Sequence, residues 1–151
     1  MLAEPENAEL HSVISGLARQ LNASEFTPHM TLLGSLGPIE IELPLEKIAA
    51  AAGQLGNLRV KNVTMGESYF QSLYLLFERN EALLKLQQQY SKEGAAPFMP
   101  HVSLYYGEDR KKAWQLLEGQ RLPAQVCFSG LALCSTNGPV EQWHMVKKIR
   151  F

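Results

Sequence analysis

Two of the four histidines in this sequence sit in the same local frame. Pro28-His29-Met30-Thr31-Leu32-Leu33-Gly34 and Pro100-His101-Val102-Ser103-Leu104-Tyr105-Tyr106-Gly107 both read Pro-His-x-[Thr/Ser]-Leu, closed shortly afterwards by glycine. A histidine titrates near neutrality, so one neutral and one protonated ring can coexist at pH 7 and serve as base and acid. Each histidine is followed two residues later by a hydroxyl that can donate a hydrogen bond. Brought together, the two copies would supply an acid, a base and two donors.

The elements that position these residues follow from the pattern around them. On a β-strand, residues i and i+2 share a face, so a strand through each copy would present its imidazole beside its hydroxyl. The spacing predicts such strands at both copies, with His29, Thr31 and Leu33 on one face of the first and Met30 and Leu32 on the other. Leu10, Ile14, Leu17 and Leu21 predict a helix over 5–21, with a short edge strand before it. Pro44 opens a second helix whose apolar stripe is Leu45, Ile48, Ala52 and Leu55.

From Leu58 to Phe77 the sequence reads as a hairpin, turning at Gly66-Glu67 with Tyr69 to Phe77 as its second run. Asn80 can cap a third helix (Leu83, Leu86, Tyr90), and Asp109 a fourth (Ala113, Trp114, Leu117). Gln125 to Thr136 and Gln142 to Phe151 read as a closing hairpin with Asn137-Gly138-Pro139 at its turn. Each half thus offers a helix, a motif strand, a second helix and a hairpin. The expected class is α+β, and residues 1–151 are expected to form a single bilobal domain with an antiparallel sheet in each lobe.

Composition narrows the partners. A formal net charge of −1 argues against a surface built to track long nucleic acid, which wants a basic groove. A small phosphate-bearing ligand needs only local donors. The residues from Met1 to Glu6 lack the features of a signal peptide, and no apolar run is long enough to span a membrane, so a cytoplasmic protein is expected. Cys127 and Cys134 make no disulfide framework. On one extended strand they would lie about 23 Å apart on opposite faces, and two buried thiols are expected.

The paired frames resemble the two-histidine (2H) phosphoesterase superfamily, and within it the cyclic phosphodiesterases. These open nucleoside 2′,3′-cyclic phosphates or ADP-ribose 1″,2″-cyclic phosphate. Phe26-x-Pro28-His29-Met30-Thr31-Leu32 and the Pro100 to Gly107 segment carry the likeness, and Tyr69-Phe70-Gln71-Ser72-Leu73-Tyr74-Leu75 adds a weaker part. The resemblance implies two pseudo-symmetric antiparallel sheets facing a central cleft, helices outside, and a reaction without metal or other cofactor.

Carried over by position, it implies His29 and His101 as the catalytic pair and Thr31, Ser103 and Tyr106 as phosphate ligands. Strict alternation would turn Tyr105, not Tyr106, toward Ser103, unless a bulge or the strand end reverses the order. Relatives carry an aromatic on the first strand, and this chain has none there. Tyr69 and Phe70 are therefore the candidates for base stacking.

Opening a cyclic phosphodiester needs a water deprotonated on one side of phosphorus and a leaving oxygen protonated on the other. Two histidines on opposite strands suit that displacement, and the hydroxyls can donate where charge gathers on the non-bridging oxygens. The near-symmetry leaves base and acid unassigned, and the 2′-phosphate product rests on the resemblance. The expected protein is a monomeric hydrolase acting on a small cyclic phosphate. Its rivals are a phosphodiesterase of RNA metabolism that trims 2′,3′-cyclic ends, and a non-catalytic nucleotide-binding module on the same fold.

The remaining histidines and basic residues have plainer readings. His11 reads as a solvated or capping helix residue and His144 as a core or edge residue. Lys147, Lys148 and Arg150 read as a solvated strand edge.

Overall fold

A computed structural model describes residues 2, 6–34, 43–92 and 97–151 of the chain. They form four α-helices and two antiparallel sheets. Helix α1 is Glu6–Leu21 and α2 is Leu45–Ala52. Strands β1 (Leu58–Met65) and β2 (Leu73–Phe77) flank a single 3₁₀ turn at Tyr69–Gln71. Helix α3 (Glu81–Tyr90), strand β3 (His101–Tyr105) and helix α4 (Arg110–Leu117) follow. Strands β4 (Gln125–Val126), β5 (Gly130–Ser135) and β6 (His144–Arg150) complete the order, with a 3₁₀ turn at Val140–Gln142 before β6.

The larger sheet has the order β3-β2-β1-β4, and β5 pairs with β6 in the smaller one. Helix α1 lays its predicted stripe against β3 and α4. Leu10, Val13, Ile14 and Leu17 are all buried, each removal from water contributing about 1.5–3 kcal/mol. Asn22 ends the helix in the left-handed region at φ 52°, and the Ala23 N–H returns to the Ala18 carbonyl at 2.9 Å. The Asn80 side chain caps α3 by accepting the Leu83 N–H at 2.9 Å.

Alternation sorts the two faces of the larger sheet. Leu73, Leu75 and Phe77 of β2 join Val102 and Leu104 of β3 in the main core, beneath α1 and α4. Tyr74 of β2, paired with Ser103, and Leu76, paired with His101, lie on the opposite face. That second face holds His101 and Ser103 of the second motif.

Several details differ from the sequence reading. The first motif forms no strand: residues 23–31 are irregular and have no ladder partner among the described residues. Pro28, which lacks an N–H, suits that conformation. Helix α2 ends at Ala52, so Leu55 lies beyond it. Tyr69 to Gln71 form a turn instead of continuing a strand, which lifts both aromatics to the surface. Asp109 precedes α4 without capping it, and Trp114 is exposed.

The run from Gln125 to Thr136 splits between sheets, β4 joining β1 and β5 joining β6. The cysteines therefore do not share a strand. Cys127 is half-buried and Cys134 is exposed, so the expectation of two buried thiols fails. The N-terminal edge is a lone bridge from Leu2 to Phe128, and Pro5 and residues 35–38 lie outside the described residues.

Candidate active site

Both motif histidines are anchored in the same way. His29 Nδ1 lies 2.7 Å from the Thr27 carbonyl oxygen, and His101 Nδ1 lies 2.8 Å from that of Met99. A carbonyl only accepts, so each Nδ1 carries the proton and Nε2 is left for exchange. Thr27 and Met99 both precede a proline, which holds them extended. The Pro-His pair therefore sets the carbonyl that fixes the ring, and it does so on irregular chain and on a strand alike.

The two rings are near enough to sense each other. Burial lowers the His29 pKa, the Thr27 hydrogen bond opposes that shift, and charge on His101 adds to the lowering. His101 also meets the edge of Tyr74, with ring centroids 5.2 Å apart. Tyr74 is buried and sits across the ladder from Ser103. Only its place in the weaker matching segment hinted that it borders the site.

Ser103 is 5% exposed, and its hydroxyl donates to the Phe70 carbonyl at 3.2 Å. Tyr106 shares a hydrogen bond with Ser103. A bulge resolves the choice between the two tyrosines. Leu73 pairs with Tyr105 while the next residue, Tyr74, pairs with Ser103, so β3 carries one residue more than β2 at this point. Leu104 and Tyr105 both join the main core, and Tyr106 turns to the Ser103 face. Burial pushes the Tyr106 pKa up to about 12, against the opposing effect of Ser103, so the phenol stays protonated at neutral pH.

Aromatic rings close the site. Phe26 stacks on Tyr106 with centroids 4.0 Å apart. Phe70 meets the Tyr106 edge at 5.4 Å and stacks on Trp143 at 5.6 Å. Tyr69 packs its edge on Phe70 at 5.1 Å. Phe70 remains 49% exposed and Tyr69 42%, which leaves ring surface open next to the hydroxyls. The site reading from sequence omitted Trp143, because a tryptophan at a strand start looks like core; only the fold brings it to Phe70. Thr31 is exposed, and its hydroxyl has no partner among the described residues.

Elsewhere, His11 sits 3.2 Å from Glu25 on the surface. His144 opens β6 and is exposed. Lys147 and Lys148 are exposed, Lys147 reaching Glu46 at 2.7 Å. Among the described residues, no three His, Cys, Asp or Glu side chains gather into a metal-ligand set, and no helix is long and apolar enough to cross a membrane.

A whole-chain comparison identifies the family. Residues 2–151 match the family described as cyclic phosphodiesterase-like protein. The chain belongs to that family. No curated protein matches it. Membership places the chain among cyclic phosphodiesterases, in keeping with the mixed helices and two antiparallel sheets of a 2H phosphoesterase-like fold.

Proposed function

We propose that this cyclic phosphodiesterase opens nucleoside 2′,3′-cyclic phosphates, or the related ADP-ribose 1″,2″-cyclic phosphate, with His29 and His101 as its base and acid. The observation that carries this reading is the matched anchoring of the two rings, each with Nδ1 on a backbone carbonyl and Nε2 available. His29 is the better base. Its lowered pKa keeps Nε2 unprotonated at neutral pH.

In that assignment, His29 Nε2 removes a proton from water as the water oxygen attacks phosphorus. The bond from phosphorus to the ribose 3′ oxygen breaks, and His101 Nε2–H protonates the departing oxygen. A 2′-phosphate remains. Each histidine would contribute about 10²–10⁴-fold, the usual scale of positioned acid–base catalysis.

Thr31, Ser103 and Tyr106 donate to the non-bridging oxygens, where negative charge grows. Ser103 must release the Phe70 carbonyl to do so. An open ring face on Phe70, with Tyr69 at its edge, suits a nucleobase. The net charge of −1 favours a small substrate over a long RNA.

The test is hydrolysis of the four nucleoside 2′,3′-cyclic monophosphates in excess EDTA, with products resolved as 2′- or 3′-phosphate. Turnover to the 2′-phosphate that disappears in both His29→Ala and His101→Ala supports the reading. Activity surviving in both variants, or lost to EDTA and restored by zinc, overturns it.

A further inference from the structure

Among the described residues the first motif presents His29 without a β ladder, so no strand pairing there holds that ring in register with the second motif. Surface tethers are present on the same segment. Ser24 bonds Glu141, Ser15 reaches Glu25 at 2.5 Å, and His11 reaches Glu25 at 3.2 Å. These partners are largely exposed, where such contacts contribute little.

The buried contact is aromatic. Phe26 and Tyr106 lie with centroids 4.0 Å apart and planes inclined by 17°, at 8% and 4% exposure. Phe26 also turns toward His29, with centroids 6.3 Å apart at 78°. Tyr106 in turn holds the Ser103 hydroxyl. One phenyl ring therefore touches the base-side histidine and the hydroxyl pair of the other motif. Ile14 of α1 and Val140 back the stack, with Trp143 packed against it, so it cannot slide freely.

We infer that Phe26 is a positioning residue: its stack on Tyr106 sets the His29 imidazole against the Ser103–Tyr106 hydroxyl pair and couples the two motifs. Its catalytic meaning rests on the proposed two-histidine reaction; its geometric meaning does not. The same ring stands edge-on beside His29, whose burial lowers its pKa. Loss of the ring would both misplace and rehydrate the imidazole.

The test compares Phe26→Leu and Phe26→Tyr in the full chain, by hydrolysis of adenosine 2′,3′-cyclic phosphate and by NMR titration of the imidazoles. For Phe26→Leu, kcat falls about 10–100-fold, the scale of a small misplacement of reacting groups. The KM stays nearly unchanged, and His29 titrates closer to the ordinary value near 6.5. Phe26→Tyr, which keeps the stacked ring, restores both.

A leucine variant that keeps wild-type kcat and His29 titration overturns the inference, as does a tyrosine variant impaired to the same degree. Should Phe26→Leu fail to fold, Tyr106→Leu interrogates the contact from the other side, and an unmoved His29 titration there overturns it equally. If the wild-type chain opens no cyclic phosphate, the proposed reaction falls, while the titration still decides the role of Phe26.

Discussion

Ser72 Oγ accepts the backbone N–H of Gly107 at 3.0 Å. The same oxygen lies 2.5 Å from the Gly107 carbonyl and 2.7 Å from that of Tyr69, and Ser72 is fully buried. One hydroxyl thus ties the Tyr69–Gln71 turn, which presents Phe70, to the end of the second motif. Gly107 has φ of +151°, and a Cβ there would crowd the Tyr105 ring and hydroxyl. Glycine suits the close of the motif because any other residue would be strained in this conformation.

Removing that hydroxyl leaves the Gly107 N–H and the Tyr69 carbonyl only their long mutual bond of 3.3 Å and takes the Ser72 donor from the Gly107 carbonyl, at a cost of roughly 1–3 kcal/mol. Ser72→Ala should therefore lower the thermal midpoint and also weaken turnover, since Phe70 and Ser103 both lean on the turn it holds. Thermal unfolding and steady-state kinetics on one preparation check this. An unchanged midpoint would show that water satisfies the orphaned groups.

Acid should act on stability through His29. Its folded pKa is lowered, so below about 6.5 the unfolded chain takes up the proton first. Stability contributed by the neutral ring is present above that pH. It declines as pH falls and levels off once the folded ring also titrates. The thermal midpoint of wild type should accordingly fall faster with acidification than that of His29→Gln. For kinetics the same direction predicts an acid limb of kcat/KM below the ordinary histidine range.

Tyr106→Phe keeps the stack on Phe26 and removes only the hydroxyl. A hydrogen bond to a charged group is worth roughly 1.5–3 kcal/mol, so kcat/KM should drop about 10–100-fold at nearly constant thermal midpoint. With its pKa pushed up to about 12, Tyr106 should impose no alkaline limb on wild-type activity up to pH 10. A limb lost in the phenylalanine variant would contradict the protonated-donor role.

Phe70→Ala separates binding from chemistry. Base stacking on an aromatic is worth about 1–3 kcal/mol, so KM for nucleoside 2′,3′-cyclic phosphates should rise about 5–100-fold with kcat little changed. A cyclic phosphate lacking a base should be processed equally by both proteins. Equal losses on both substrates would mean that Phe70 acts on Ser103 through its carbonyl instead.

Local causes account for the two paired motif frames. Proline before histidine fixes a carbonyl two residues back, and that local geometry recurs at His29 and His101 whatever the surrounding secondary structure. Helical stripes such as Leu10 to Leu17 and the Asn80 cap were legible for the same reason: their causes lie within a few residues.

Relations set by distant chain were decided only in the tertiary structure. The first motif alternates like a strand, yet it finds no ladder partner among the described residues. The β3 bulge depends on pairing with β2, and it alone selects Tyr106 over Tyr105. Trp143 reaches Phe70, and Phe26 reaches Tyr106, through packing between segments far apart in sequence. A side chain's face follows from local periodicity, but its partner follows from which surfaces the whole chain can bury together.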